Sequence, residues 1–416
     1  VGTLINAANS EKEIFFTSCG TESDNRAIDI AIESFHFINR NLSSAKELTI
    51  PNVVTCAIEH PAVICYLRVL KNKGQITLTI IEVDEAGVVK DDLIQQSLTK
   101  DTALVTIMHS NNEVGTIQPI RKISDMIKKF NIATNAHILL HSDAAQSIGK
   151  VSIDVQSAGI DLLTIVGHKY GAPKGVAALY VKEGLHWQPM LVGGGQENGA
   201  RGGTENVALI VALGEASRLA AAEYHSLVNH LLSLKLLMLT IFARRFEHQK
   251  HMVRLNGPQR SSDISEIASN LQLCKAALQG NCMLSFNGGG VASNGRMKKA
   301  VDFTGSVLEQ LPNTISISFQ GTKSHELIAL LREKVACSAG SACHSVSVAP
   351  DSSSSSLTAA DCVVSDVLKA MKIPMEFALG TLRLSFGRHS TIEEITIAAE
   401  IIADTVLSYW KDKRLI

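Results

Sequence analysis

The chain has 416 residues, of which 39 are Lys or Arg and 40 are Asp or Glu, for a formal charge of −1. That balance excludes a primary nucleic-acid binder, which needs a basic surplus to neutralise phosphates. A 45% hydrophobic share against 19% charged residues excludes bulk disorder. The length suggests two or three domains at roughly 150 residues each. Near-continuous apolar runs at 14–19, 53–58, 76–83, 103–109, 138–143, 162–167 and 176–181 predict strands buried on both faces. Helical patterns lie between several of them, at 22–37, 61–71, 91–98 and 120–130. This alternation predicts an α/β fold with a mostly parallel sheet.

A long helical pattern at 206–246 then leads out of the sheet. Residues of about 257–310 hold Ser261-Ser262 and Asn287-Gly288-Gly289-Gly290 without a sustained period, and read as an inserted, partly disordered loop. Strict alternation at 314–319 predicts a half-buried strand. A helix from Ser324, a Ser-rich loop at 351–356, a strand at 381–386 and an amphipathic helix at 392–409 complete a smaller α+β domain. The expected division is a large domain at 1–215 and a small one at 216–416.

No membrane span is expected, because the longest apolar stretch, 231–242, contains Ser233 and Lys235 and falls short of about 20 residues. The chain opens at Val1 rather than Met and reads as processed or incomplete, without a secretory leader. None of the eight cysteines forms a CxxC pair, so free thiols in a reducing compartment are expected, most of them buried.

Five stretches carry chemistry. Gly167-His168-Lys169 follows an apolar run, which puts Lys169 at the carboxyl edge of the sheet, where α/β proteins bind ligands. A partly desolvated Lys there can form a Schiff base; the plainer reading is a surface loop lysine. His141-Ser142-Asp143-Ala144-Ala145-Gln146 puts a carboxylate at a strand end, where it would hold a pyridinium nitrogen protonated or simply cap a helix. His137 and His141 do not make a metal site, since four residues of strand span about 13 Å. Cys19-Gly20-Thr21-Glu22-Ser23 would place Thr21 and the first amides of a helix on a phosphate, or serve as an ordinary helix cap. The small residues of 337–344 give Cys343 the mobility a nucleophile needs, although a loop cysteine without a role fits too. Arg383 sits inside an apolar strand and needs a carboxylate, structural or from a substrate.

In this order the motifs resemble the cysteine desulfurase and selenocysteine lyase family, the class V branch of fold-type I pyridoxal-phosphate enzymes. The likeness runs through Phe15-Phe16-Thr17-Ser18, Glu59-His60, His109-Ser110-Asn111-Asn112-Glu113, the Asp143 and Lys169 motifs, Gly193-Gly194-Gly195-Gln196-Glu197, the stretch 201–206 and Gly387-Arg388. It covers nearly the whole chain apart from 257–310. The resemblance implies pyridoxal 5'-phosphate as cofactor. It implies that Lys169 carries the cofactor and shuttles a proton, Asp143 pairs with the pyridinium nitrogen, Gln146 bonds the ring hydroxyl and His60 stacks on the ring. Thr21 and His168 would hold the phosphate with Thr204 from the partner subunit of a homodimer. Asn112 and Arg383 would bind the substrate carboxylate, and Cys343 would face the substrate chalcogen. A cytoplasmic enzyme acting on an amino acid, with a selenium or sulfur acceptor protein, follows from the same likeness. The stretches 164–169, 195–197, 203–206 and 342–345 look like the selenocysteine lyase pattern, which makes L-selenocysteine the expected substrate, giving alanine and selenide. The alternatives are cysteine desulfuration and a non-catalytic protein retaining the fold. Departures from the family pattern are the missing start, Cys19 in place of the usual Gly, the order Tyr170-Gly171-Ala172-Pro173, and the Ser-rich stretch after Cys343.

Overall fold

The computed structural model describes residues 1–42, 49–189, 191–258, 310–340 and 364–416. The chain divides into two compact units, Val1–Asn112 with Thr116–His225, and Glu113–Gly115 with Ser226–Ile416.

In the first unit the apolar runs become β1 (Ile14–Thr17), β2 (Asn52–Cys56), β3 (Thr77–Ile81), β4 (Thr102–Thr106), β5 (Leu139–Asp143), β6 (Leu162–Val166) and β7 (Ala177–Val181). They form one sheet in the order β1-β7-β6-β5-β4-β2-β3. β2 to β6 pair in parallel, and β7 alone runs against its neighbours. Parallel neighbours need crossovers. Helices α1 (Gly20–Leu42), α2 (Pro61–Asn72), α3 (Asp91–Ser97) and α4 (Ile120–Thr134) lie between the strands in sequence. β4, β6 and β7 are buried throughout, while β3, at the sheet's edge, exposes Thr77 and Ile80.

Helix α1 presents Ala27, Ile28, Ala31 and Phe35 at helical spacing, and all four are buried. Ile28 and Ala31 share a core with Leu67 of α2, Val53 of β2, Leu104 of β4 and Leu162 of β6. Burying each large aliphatic side chain contributes about 1.5–3 kcal/mol. This apolar layer holds helices to sheet.

The second unit has three antiparallel strands in the order β10-β9-β8: β8 (Val253–Asn256), β9 (Thr314–Phe319) and β10 (Thr381–Ser385). Helix α5 (Val207–Arg245) contains the boundary between the units, followed by α6 (Ser324–Leu331) and α7 (Ile392–Asp412). Thr391 and Glu394 cap α7 reciprocally. Trp410 packs edge to face on Phe246 and Phe319, which are tilted against each other, and its Nε1 donates to Gln320 O at 2.9 Å.

Several expectations need correction. β9 is buried along both faces, not half-buried. Its serines are covered because Asn256 Nδ2 donates to Ser316 Oγ at 3.2 Å and Ser318 Oγ at 2.8 Å, and Ser318 pairs with Thr381. α5 is long and apolar enough, by length and composition, to cross a membrane, which a search for unbroken apolar runs misses. Its Leu231, Leu234, Met238, Leu239 and Phe242 belong to the core of the second unit, so it reads as a core helix. Of the four described cysteines only Cys56 is buried; Cys19 and Cys65 are exposed and Cys337 is intermediate. The Ser-rich stretch and all of 257–310 except Gly257, Pro258 and Gln310 lie outside the described residues.

Candidate active site

β1, β2, β4, β5 and β6 run the same way, so their carboxyl ends share one edge of the sheet. That edge collects seven of the expected residues. Thr21 follows β1, His60 follows β2 and Asn112 follows β4. Asp143 ends β5 with Gln146 just after it, and His168 and Lys169 form the turn after β6.

Asp143 is buried, and one carboxylate oxygen accepts from Ala145 N at 2.8 Å. The local turn thus uses half of the carboxylate. Burial pushes its pKa up, while the Ala145 N–H, His60 and the Lys169 ammonium favour the charged form. The His60 ring is fixed because Nδ1 caps α2, accepting from Ala62 N at 3.1 Å. Pro61 takes the next position, where no N–H is required.

Lys169 and His168 are exposed on their turn, so Lys169 is not the partly desolvated amine anticipated. The buried amine is Lys150, pushed down to about 8 by burial and by the Lys169 charge, with Nζ 3.5 Å from Lys169 O. Thr21 is exposed in the first turn of α1. The turn ahead of that helix is held by Glu22, whose carboxylate accepts from Ser18 N at 2.7 Å and pairs with Arg201. Asn112 and Gln146 are half-buried. Thr204 is exposed and lines a cleft of about 200 Å³ that also holds Thr17 and Arg201.

Arg383 lies on β10 of the second unit, where its backbone N donates to Ser338 O at 2.6 Å. Cys343 lies outside the described residues. His137 is exposed ahead of β5, whereas His141 is fully buried on it.

Sequence reasoning missed a polar layer behind Asp143. His141 is pushed down to about 3 by burial and is neutral, with Nδ1 2.8 Å from Thr106 Oγ1 and Nε2 3.1 Å from Thr164 Oγ1. Asp24 Oδ1 lies 3.8 Å from His141 Nε2 and has no hydrogen-bond partner among the described residues. Burial and the neighbouring Asp143 raise the Asp24 pKa well above the usual carboxylate range. Glu59 accepts from Met108 N at 2.7 Å and Cys56 Sγ at 3.0 Å, and burial pushes it up to about 8. Asp24 and Glu59 therefore hold protons, whereas Asp143 has the Ala145 N–H and the Lys169 charge to offset part of its burial. The one available signal was polar residues inside predicted buried segments.

Pyridoxal phosphate asks for an amine to condense with its aldehyde, an anion against its ring nitrogen and a cradle for its phosphate. Lys169 and Asp143 meet the first two demands at adjacent strand ends, close enough that the Lys169 charge stabilises the carboxylate. The start of α1, a helix N-terminus on the same edge, suits a phosphate. The donor set fits the cofactor, and sheet and site together define a fold-type I pyridoxal-phosphate enzyme. The chain belongs to the class-V aminotransferase family, whose pattern it matches over residues 1–245. It is 34% identical over 397 residues to cysteine desulfurase IscS of Methanosarcina thermophila, covering 95% of this chain and 77% of that protein. It is 32% identical over 391 residues to cysteine desulfurase IscS of Dictyoglomus turgidum, covering 94% and 78%. Among solved structures it resembles a NifS-like protein (TM-score 0.71, 26% identity, 98% of this chain and 86% of that one). It also resembles SspA in complex with cysteine (TM-score 0.58, 26% identity, 94% and 85%).

Proposed function

We propose that the chain is a cysteine desulfurase, releasing sulfur from L-cysteine and leaving L-alanine. One observation carries the reading: the Lys169 amine and the buried Asp143 carboxylate interact at the ends of β6 and β5. The relatives named above are cysteine desulfurases, which moves the reading away from the selenium-directed one. The lyase-like motifs keep L-selenocysteine as the second substrate to compare.

Bound pyridoxal phosphate supplies an electron sink for the substrate Cα. Lys169 holds the cofactor and carries a proton to and from Cα. Asp143 keeps the ring nitrogen protonated, and Gln146 donates to the ring hydroxyl. His60, oriented by its helix cap, lies against the ring. Thr21 and His168 hold the phosphate with Thr204 of the partner subunit in a homodimer. Asn112 and Arg383 are the proposed ligands of the substrate carboxylate. The Cys343 thiolate attacks the substrate sulfur and the carbon–sulfur bond breaks. Its electron pair stays with the carbon, which takes a proton to become alanine. The persulfide left on Cys343 passes its outer sulfur to an acceptor protein. A cytoplasmic, reducing setting suits such a thiol.

The test is alanine and sulfide release from L-cysteine by the cofactor-loaded chain, beside alanine and selenide release from L-selenocysteine. Lys169→Ala should lose the visible cofactor absorbance and lower turnover by about a hundredfold or more. No alanine from L-cysteine, with alanine formed from L-selenocysteine, would return the selenium-directed reading.

A further inference from the structure

Arg26, on α1, has a side chain only 6% exposed, and the cofactor scheme makes no use of it. Nη1 donates to Glu33 Oε1 at 3.3 Å, and the guanidinium lies 4.9 Å from the Trp187 ring. Nε and Nη2 are buried and have no hydrogen-bond partner among the described residues. The N–H groups of Nε and Nη2 share one edge of the guanidinium, and their spacing matches the two oxygens of a carboxylate. Buried donors left dry are costly, so this edge is built for an acceptor. The nearby acids are engaged elsewhere. Glu33 also accepts from Gln188 N at 2.7 Å, and Asp29 accepts from Tyr66 Oη at 2.6 Å. Glu22 and Arg201 satisfy each other.

The surroundings define the rest of the ligand. Arg26 lines a narrow cleft of about 20 Å³ whose apolar walls are Phe15, Ile30, Leu179, Val181 and Trp187, and which also touches Thr17, Glu22 and Arg201. Phe15, Trp187 and Ala200 also border a wider cleft of about 260 Å³ that reaches Lys12. An apolar throat with one bidentate donor at its base and a wider outer chamber is the form of a small-molecule site. Neither Lys169 nor Asp143 lines either cleft.

We propose that Arg26 anchors a second ligand site, beside the start of α1 but distinct from the Lys169–Asp143 pair, that binds a small monocarboxylate with an apolar body. The carboxylate takes the Nε–Nη2 edge, and the body lies against Phe15 and Trp187 and extends toward the outer cleft. The test titrates the cofactor-loaded full chain with 3-phenylpropionate and with its neutral amide, by calorimetry. The acid should bind saturably, undiminished by excess L-alanine. Replacing the acid by the amide, or making Arg26→Met, should weaken binding at least about tenfold, the scale of losing a bidentate charge-assisted pair. Retained cofactor absorbance and far-ultraviolet dichroism would show that Arg26→Met still folds; should it not fold, the acid–amide comparison decides alone. Equal binding of acid and amide, unchanged binding to a folded Arg26→Met, or displacement by L-alanine would overturn the proposal. So would binding of a peptide's C-terminal carboxylate but not of the free acid.

Discussion

Asp24, Glu59 and Asp143 are all buried carboxyls of the first unit, yet their surroundings separate them. Asp143 has the Lys169 ammonium near it, whereas Glu59 has only the Met108 N–H and the Cys56 thiol. The Glu59 pKa, near 8 in the fold, stands above its ordinary value of 4.5. Between those values the unfolded chain has released a proton that the folded chain still holds. Stability therefore falls as pH rises from about 4.5 to about 8 and then levels off, a change on the order of 4 kcal/mol. Glu59→Gln keeps an acceptor for the Met108 N–H and removes the titration. Its stability relative to the parent chain should climb by up to about 4 kcal/mol between pH 5 and pH 8, read from urea unfolding. A difference that stays constant with pH would show that Glu59 is ionised in the fold. The placement of Lys169 and Asp143 at strand ends was legible because each follows an apolar run, whereas His60 was named only through the family resemblance. The protonation of Asp24 and Glu59 was not, because desolvation comes from segments distant in the chain.

At the scale of elements, the start of α1 and the end of β6 must meet closely. A Cβ on Gly20 would lie 2.6 Å from Val166 Cγ2, and Val166 immediately precedes the turn that carries Lys169. Gly20 thus sets the approach of Thr21 to that turn by its lack of a side chain. Gly20→Ala should cost about 1–3 kcal/mol, as overpacking does, and weaken cofactor retention. Adding Val166→Ala should recover most of that loss in a double-mutant cycle read by thermal unfolding and cofactor absorbance. Additive losses would mean that the two positions do not press on each other. The central strands β4, β6 and β7 were readable because strands buried on both faces are written as apolar runs, whereas β3, predicted the same way, is an edge strand that exposes Thr77 and Ile80. β8 was missed, being four residues long and carrying Arg254 and Asn256. β9 was misjudged because its serines, polar in sequence, bond to Asn256 and Thr381 instead of water.

At the scale of the molecule, the chain leaves the first unit at Glu113 and returns at Thr116, a detour that no local pattern announces. Lys235 holds this detour within the second unit. Its Nζ donates to Gln310 Oε1 and to Leu311 O, and Gln310 Nε2 donates to Val114 O at 2.6 Å. Burial pushes Lys235 down to about 7 from 10.5. Between those values the unfolded chain binds a proton that the folded chain does not. Stability from this group is therefore present above about pH 10.5 and is lost as pH falls to about 7, the opposite slope to that of Glu59. Lys235→Met removes a burial penalty on the order of 4 kcal/mol at pH 7 and forfeits hydrogen bonds worth about 1–3 kcal/mol. The variant should be the more stable chain at pH 7 and the less stable one near pH 10.5. The two tryptophans fall one in each unit, so a Trp187→Phe background lets Trp410 fluorescence report the second unit alone. A Lys235→Met effect of the same sign at both pH values would show that Lys235 stays charged in the fold and that the detour is held by an ammonium rather than a neutral amine.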